Sequence, residues 1–282
     1  MKHCEGFFPG IRGTRTYYQG WLPDGPPKAA LMLVHGLAEH SGRYSTLIGH
    51  FVPRGYAIYG MDHVGHGKSD GARAHLERFN DFVVPLRTYF GMVRGWQAAA
   101  PIFLVGHSLG ALIGASYLLD HQEGLHGAIL SGPAVRIPDH ISPAIILAGR
   151  VLSVLVPGIG ILGLDACGLS RDPAVVAAYV DDPLVFRGKA TARLGAEMLY
   201  AMQRITAEAK RIRLPVLILQ GGADKLVDPA GARQLHDLIG SVDKTLKVYD
   251  GLYHEVYNEP ERSQVLCDVE SWLEKRLPPP SP

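Results

Sequence analysis

Short runs of branched and aromatic residues recur along the chain, and each run ends close to a glycine, an aspartate or a serine. This pattern predicts β-strands, because such side chains suit a pleated surface and small polar residues mark the following turn. Four runs, at 31–34, 102–105, 128–130 and 216–219, are apolar throughout, as strands at the centre of a parallel sheet must be. The predicted strands are residues 14–20, 30–34, 56–61, 102–105, 127–130, 216–219 and 245–249.

Stretches of helical length separate these strands, for example at 79–98, 109–120 and 230–239. Alternation of strand and helix is typical of an open, mostly parallel sheet flanked by helices. The alternation stops between residues 136 and 210, where prolines separate several helical segments: Pro138, Pro143, Pro157, Pro173 and Pro183. We interpret 136–210 as a helical cap, or lid, inserted over the carboxyl edge of the sheet, with 1–135 and 211–282 as the core domain.

The longest apolar tract, residues 141–164, approaches the length of a membrane-spanning helix. Arg150 lies in its middle and Pro157 would break a helix, so the tract predicts an amphipathic or buried segment rather than a span. Its apolar residues recur at roughly helical intervals. We expect these apolar residues to line an acyl tunnel or to meet a lipid interface. In the alternative interpretation, they only fix the cap to the core. The residues are Ile141, Ile145, Ile146, Leu147, Val151, Leu152, Val154, Leu155 and Val156.

Composition and charge exclude several classes of partner and binding site. A chain of 282 residues with 47% hydrophobic residues is expected to form one large domain with an insertion. The net charge of +1, without a run of lysine or arginine, argues against a nucleic-acid partner. Three cysteines without paired spacing argue against disulfides and structural zinc, and the first residues lack an apolar leader. A cytoplasmic location is therefore expected, with peripheral contact at membranes as a further option.

The segment 106–110 reads Gly-His-Ser-Leu-Gly, directly after the predicted strand 102–105 and before a helix. G-x-S-x-G between a strand and a helix is the nucleophile elbow of the α/β-hydrolase fold. A glycine-serine turn that was only a loop would need neither the strand before it nor the helix after it. We expect Gly106 and Gly110 to relieve a steric clash and Ser108 to lie in strained backbone as the nucleophile. The N–H of Leu109, at the positive end of the helix, is a candidate oxyanion donor.

The other catalytic positions follow from chain order. His35 and Gly36 close the strand 30–34, where this fold places the second oxyanion donor, and Leu37 is our candidate. His35 is expected to be structural, because the base comes last in this fold. His254 follows the last predicted strand and is the candidate base. Asp224 is preferred as its orienting acid.

Asp228 is the alternative acid, but it precedes Pro229 and fits an N-cap of the next helix. Metal catalysis is not expected. His63 and His66 are an isolated pair, and after His254-Glu255 the second zincin histidine would fall at Asn258.

With these residues in hand, the chain resembles the monoacylglycerol lipase family, the lysophospholipase-like branch of α/β-hydrolases, over nearly its whole length. The family releases a fatty acid and glycerol from monoacylglycerols under a mobile lid, and the resemblance implies that no cofactor is needed. The resemblance places the triad at Ser108, Asp224 and His254 and the oxyanion donors at Leu37 and Leu109. The segments that carry it are 35–44, 62–71, 106–110, 169–172, 182–184 and 222–224 with Asp228.

The resemblance also implies substrate-binding residues. Glu39 and Arg43 would shape the polar end of the pocket near the glycerol group, and Tyr179 would reach in from the lid. In the alternative interpretation, Glu39 and Arg43 only form a local ion pair across a turn. Tyr257 departs from the family, because some members have a second histidine there, which puts glycerol contacts on that side in doubt.

The predicted function is hydrolysis of a small lipid ester, most simply a monoacylglycerol, through an acyl-serine intermediate. A broad-specificity carboxylesterase or a lysophospholipase would use the same residues, and so would a serine peptidase, because the triad does not fix the leaving group. From another class, a non-catalytic binding module on the same scaffold is a further alternative. Transient contact with a lipid interface through the lid is expected, and the sequence leaves the oligomeric state open.

Overall fold

A computed structural model of the chain describes residues 1–137 and 141–278, so the predicted helix break at Pro138 lies outside the described residues. The strands are β1 (Lys2–Pro9), β2 (Arg15–Leu22), β3 (Ala29–Val34), β4 (Tyr56–Met61), β5 (Ile102–His107), β6 (Gly127–Ser131), β7 (Gly160–Leu162), β8 (Ala190–Thr191), β9 (Val216–Gly221) and β10 (Lys244–Tyr249). The helices are α1 (Ser45–Phe51), α2 (Asn80–Trp96), α3 (Leu109–Asp120), α4 (Pro143–Leu155), α5 (Pro173–Asp181), α6 (Ala192–Glu208), α7 (Ala230–Leu238) and α8 (Arg262–Glu274).

Eight of these strands form one sheet in the order β1-β2-β4-β3-β5-β6-β9-β10. Neighbours from β4 to β10 are parallel, whereas β1 and β2 pair antiparallel at one edge. Every residue of β3, β5, β6 and β9 is buried, because helices cover both faces. The predicted mostly parallel sheet with fully covered central strands is therefore confirmed. The sequence interpretation missed β1, most of whose residues are exposed or half-buried.

Strand β3 lies between β4 and β5, so the chain leaves β3 towards one edge and later returns to its other side. Loops that follow two such strands diverge and leave a crevice at the carboxyl edge of the sheet. The loop after β3 and the turn after β5 border that crevice, as the sequence predicts for the oxyanion loop and the nucleophile.

The segment between β6 and β9 contains α4, α5, α6 and the small β7–β8 pair. Pro143 and Pro173 occupy the first turns of α4 and α5, where a missing N–H costs nothing, and the side chains of Ser142 and Asp172 cap these helices. Helices α4 and α6 pack together, and α6 buries its apolar face against the main core. Among the described residues, no helix has both the length and the apolar character that crossing a membrane requires.

The close approach of α3 to β3 gives a test of the packing. An added Cβ at Gly110 would lie 1.9 Å from the carbonyl oxygen of Val34, whereas one at Gly91 in α2 meets nothing within 4 Å. We expect Gly110→Ala to destabilise the fold by about 3 kcal/mol or more, since a backbone atom must move. The control Gly91→Ala should stabilise it by about 0.5–1 kcal/mol. Thermal unfolding measures both, and equal Tm values for the two variants would contradict this packing.

Candidate active site

Four loops meet at the carboxyl edge of the sheet because their strands run in the same direction. Leu37 lies in the loop after β3, and Ser108 follows β5. Asp224 lies in the loop after β9, and His254 lies after β10. Residues that are far apart in sequence therefore approach one another at this edge.

Ser108 lies in a sharp turn between β5 and α3, with φ 55° and ψ −117°. A positive φ is strained for any residue with a side chain, so the surrounding structure has to hold this serine in place. An added Cβ at Gly106 would lie 2.6 Å from the oxygen of Gly110. The predicted steric need for both flanking glycines is confirmed. The N–H of Ser108 donates to the carbonyl oxygen of Ser131 at 2.8 Å, which fixes the turn to β6.

His254 and Asp224 are joined by a hydrogen bond of 2.7 Å between Nδ1 and Oδ2. Asp224 Oδ1 accepts the N–H groups of Leu226 and Val227, at 2.8 and 3.1 Å. Burial alone would raise the pKa of Asp224, but His254 and these N–H groups hold that pKa below its ordinary value. An ionised Asp224 keeps the proton on Nδ1 of the imidazole and leaves Nε2 as the basic nitrogen.

Asp228, the alternative acid, has other partners. Its Oδ1 accepts the N–H of Ala230 at 2.9 Å at the start of α7, and its Oδ2 pairs with Arg136 at 2.8 Å. Asp228 therefore bonds to the first residue of α7 as expected, but the N-cap position itself is occupied by Pro229, one residue later than predicted. Of the two aspartates, Asp224 is the one that contacts His254.

Two close approaches bring the surroundings of Ser108 near the imidazole and near the loop after β3. An added Cβ at Gly132, one residue beyond the partner of the Ser108 N–H, would lie 3.0 Å from Cε1 of His254. An added Cβ at Gly36 would lie 3.3 Å from Cβ of Ser108. Within the described part of the chain, no hydrogen bond links Ser108 Oγ to His254, and such contacts often tighten only when substrate binds.

The candidate oxyanion donors lie on either side of Ser108. Leu109 is the first residue of α3, so its N–H has no partner within the helix, and the positive end of the helix adds to the local field. Leu37 follows Gly36 in the loop after β3 and is half-buried. Neither amide donates a hydrogen bond to another described residue, so both are available to an anionic oxygen.

Glu39 and Arg43 belong to a buried ion-pair network. Nη1 of Arg43 donates to Glu39 Oε2 at 2.7 Å and to Glu255 Oε1 at 2.8 Å. The other oxygen of Glu39 accepts the N–H of Gly36 at 2.6 Å and the hydroxyl of Tyr44 at 2.7 Å. The ion pair between Glu39 and Arg43 is therefore present, but it also connects the oxyanion loop to the residue after the candidate base.

Burial and charge oppose each other in this network. Burial alone would lower the pKa of Arg43, but the carboxylates of Glu39 and Glu255 raise it above its ordinary value. Burial alone would raise the pKa of Glu255, but Arg43 holds it below the ordinary value. The ring of Tyr179 lies 4.6 Å from the guanidinium carbon of Arg43, so this residue of α5 packs on the network.

Three buried histidines lie beside the oxyanion loop. Nε2 of His35 accepts the N–H of His63 at 2.9 Å, and Nε2 of His63 lies 3.0 Å from the carbonyl oxygen of His35. Burial lowers the pKa of His35, His63 and His66, to about 3 for His63, so all three are neutral at pH 7. The structural role predicted for His35 is confirmed. The described residues contain no group of three or more His, Cys, Asp or Glu side chains placed to hold a metal ion.

Sequence reasoning missed two buried carboxylates in the loop that carries His254. Glu255 is 4% exposed and Glu259 is fully buried. Acidic residues in a loop are normally solvated, so the sequence offered no reason to bury them. Their partners, Arg43 for Glu255 and Arg171 for Glu259, lie 212 and 88 residues away.

Comparison with known proteins agrees with this geometry. A family model described as "Hydrolase_4: Serine aminopeptidase, S33" matches residues 25–261. Monoacylglycerol lipase of Mycolicibacterium smegmatis is 41% identical over 273 residues, which cover 97% of this chain and 98% of the relative. Monoglyceride lipase of Homo sapiens is 33% identical, covering 94% and 88%. The crystal structure of Paleococcus ferrophilus monoacylglycerol lipase matches with a TM-score of 0.83 at 32% identity, covering 93% and 99%.

The two aspartates provide a matched test. Asp224→Asn should lower kcat for a nitrophenyl ester by about 10³- to 10⁴-fold without unfolding the protein, because the imidazole loses its orienting carboxylate. Asp228→Asn should keep kcat within about twofold and cost at most about 1 kcal/mol of stability, since it alters only a helix-end contact and a half-exposed ion pair. Steady-state kinetics and circular dichroism check both. A larger loss of kcat in the Asp228 variant than in the Asp224 variant would show that Asp224 is the wrong choice for the acid.

Proposed function

The chain belongs to the monoacylglycerol lipase family of α/β-hydrolases, and on that basis we propose that Ser108, His254 and Asp224 hydrolyse the ester bond of monoacylglycerols. The chain is a carboxylic ester hydrolase. The observation that carries the assignment of roles is the hydrogen bond from His254 to Asp224, whose side chain is shielded from solvent, together with the strained backbone of Ser108.

In the proposed mechanism, Nε2 of His254 takes the proton of Ser108 Oγ as the serine attacks the ester carbonyl. The N–H groups of Leu37 and Leu109 hold the oxyanion, and each donor lowers the barrier by about 3 kcal/mol. His254 then gives its proton to the departing glycerol oxygen, which leaves an acyl-serine. A water molecule, deprotonated by the same imidazole, attacks the acyl carbonyl. His254 then returns that proton to Ser108 Oγ as the acyl–oxygen bond breaks, which releases the fatty acid and restores the free serine.

A serine aminopeptidase, the activity in the description of the family model, must bind the protonated amine at the end of a peptide. The buried carboxylates nearest to the site, Glu39 and Glu255, are both paired with Arg43. A peptide ammonium would compete with a guanidinium that is already buried and hydrogen-bonded. This pairing favours a substrate without a charged amine on its acyl part, such as a monoacylglycerol. A carboxylesterase or a lysophospholipase remains compatible with the same residues.

The ion-pair network also gives Glu39, Arg43 and Tyr179 a role in the proposal. The polar atoms of Glu39 and Arg43 are engaged by the protein and the ring of Tyr179 packs on the guanidinium, so these residues shape the polar end of the pocket as a fixed wall. The proposed lid comprises 136–210 over a core of 1–135 and 211–282. Of this segment, α6 is anchored to the core, whereas several apolar side chains of α4 are exposed.

Contact with a lipid surface through α4 is the second part of the proposal. Ile145, Leu147, Val154 and Leu155 are 60%, 63%, 72% and 72% exposed, in the segment next to the carboxyl edge of the sheet. A monoacylglycerol has low solubility in water, so an apolar face near the cleft shortens its path from a lipid phase to Ser108. We propose a cytoplasmic protein that attaches reversibly to such surfaces. All three cysteines lie in the described part of the chain and are unpaired, which fits a reducing compartment.

Replacement of the nucleophile tests the catalytic proposal. Ser108→Ala should fold normally, lose reaction with a fluorophosphonate, and lower hydrolysis of a monoacylglycerol by roughly 10³-fold or more. Ser116→Ala is the control, because this buried serine in α3 has no hydrogen-bond partner for its hydroxyl in the described structure. The wild type should prefer monoacylglycerols over aminoacyl amides of similar size. Retained activity in the Ser108 variant, or faster cleavage of the amides, would refute the proposal.

Two substitutions on α4 test the lipid contact. Val154→Ser with Leu155→Ser should reduce hydrolysis of monoacylglycerol in vesicles by about tenfold, because less apolar surface enters the lipid. The rate on a short soluble ester should stay within about twofold. Val242→Ser is the matched control, since Val242 is fully exposed near the start of β10, at the opposite edge of the sheet. An equal loss on both substrates would show that α4 acts on the cleft and not at the interface.

A further inference from the structure

Residues 169–186, which we name the brace, form the part of the lid segment that contains α5. One end of the brace binds the loop that carries His254, and the other end binds the loop that carries Leu37. The bonds at each end join side chains or backbone groups that lie about 90 to 150 residues apart in sequence. The brace therefore connects the two halves of the candidate catalytic machinery.

The first end of the brace is held by Glu259, whose carboxylate is fully buried. Oε1 accepts the hydroxyl of Ser170 and the N–H of Arg171, each at 2.6 Å. Oε2 accepts Nε of Arg171 at 2.6 Å and the N–H of Tyr253 at 3.1 Å. Tyr253 directly precedes His254, so a single carboxylate ties the base loop to the brace by four hydrogen bonds.

Two further observations support this end. The N–H of Glu255 donates to the carbonyl oxygen of Leu169 at 2.8 Å, so the residues on both sides of His254 are bonded to this system. Burial alone would raise the pKa of Glu259, but Arg171, Ser170 and two N–H groups hold that pKa below its ordinary value. Glu259 is therefore ionised at neutral pH, when charge-assisted hydrogen bonds are strongest.

The second end of the brace binds the oxyanion loop. Oδ2 of Asp182 lies 2.9 Å from Nε2 of His40, and the N–H of Phe186 donates to the carbonyl oxygen of Ala38 at 2.8 Å. Ala38 follows Leu37 and has φ 66°, a strained conformation that needs external support. Between the two ends, the Tyr179 ring packs on the Arg43 guanidinium, which itself pairs with both loops.

Helix α4, unlike the brace, forms no polar bond to the catalytic loops in the described structure. Its outward polar bond, from Arg150 to Gln203 at 3.2 Å, goes to α6 and not to a catalytic loop. Among the described residues, no side chain of α4 hydrogen-bonds to the loops of Leu37 or His254. The lid segment thus divides into a part bonded to the catalytic loops and a part that is not.

We propose that the brace is a fixed strut that sets the position of His254 relative to the oxyanion loop, and that Glu259 and Asp182 are positioning residues for catalysis. The inference rests on the proposed roles of Ser108 and His254. A misplacement of about 1 Å in a catalytic group can lower the rate by about 100-fold, so the four bonds to Glu259 have kinetic consequences. Opening of the lid would then involve α4, while residues 169–186 stay in place.

Glu259→Gln tests the strut at its base-loop end. The amide presents an N–H₂ group to donors that need an acceptor, so two of the four hydrogen bonds are lost. We expect kcat for a short soluble ester, counted per serine titrated with a fluorophosphonate, to fall 10- to 100-fold while KM stays within about twofold. A role in stability alone would lower Tm and the titrated fraction but leave kcat per titrated serine unchanged, and that result would overturn the proposal.

Glu261→Gln is the matched control, because Glu261 is exposed and also pairs with Arg171 but, among the described residues, accepts no hydrogen bond from the residues beside His254. Its kcat should equal that of the wild type, and an equal loss in both variants would overturn the role of Glu259. Should Glu259→Gln fail to fold, Ser170→Ala and Asp182→Asn weaken the same two ends more mildly. Each should lower kcat per titrated serine at least threefold, and wild-type values for both would refute the strut.

The rate of fluorophosphonate labelling separates the two proposals. Labelling needs only an activated Ser108 and does not depend on the natural substrate. Wild-type protein that labels rapidly but does not hydrolyse monoacylglycerol would refute the proposed substrate, whereas slower labelling of Glu259→Gln would still support the strut. Equal labelling rates in wild type and Glu259→Gln, together with equal kcat, would refute the strut while leaving the ester hydrolase intact.

Discussion

The hydrogen bond between His254 and Asp224 depends on two neighbouring parallel strands that end at the same level. Tyr249 at the end of β10 is in register with Gly221 at the end of β9, so the loops that follow start side by side. The serine turn after β5 reaches the same edge two strands away, across β6. A shift of either strand by one residue would turn each side chain to the other face and separate the acid from the base.

Carboxylates hold the loops of this site in a way that apolar packing could not. Glu39, Glu255 and Glu259 are buried. Glu39 fixes the loop after β3 internally, whereas Glu255 accepts hydrogen bonds from Arg43 of that loop, and Glu259 accepts them from the brace and from Tyr253. A buried ion pair with good geometry adds little net stability, but it strongly disfavours arrangements in which one partner is lost. These residues therefore specify where the loops lie more than they stabilise the folded chain.

The sequence predicts the parts of the molecule that depend on local pattern. Runs of apolar residues located the covered strands, and the Gly-x-Ser-x-Gly turn located Ser108, because both need particular residues at adjacent positions. Chain order led to His254, and Pro229 directly after Asp228 favoured Asp224, which the structure brings within 2.7 Å of His254. The network of Arg43 with Glu255, and the brace bonded to Glu259, depend on side chains 88 to 212 residues apart, which no local pattern encodes. Strand β1 was missed because an edge strand buries little and carries few apolar residues.

The strained turn at Ser108 also affects how the sequence can change over time. Holding a side chain at positive φ costs roughly 1–3 kcal/mol, out of a total stability of about 5–15 kcal/mol for a typical domain. A mutation to glycine at this position would relieve the strain, so selection for a robust fold alone would favour loss of the serine. If Ser108 acts as the proposed nucleophile, its hydroxyl is the property that offsets this cost in stability.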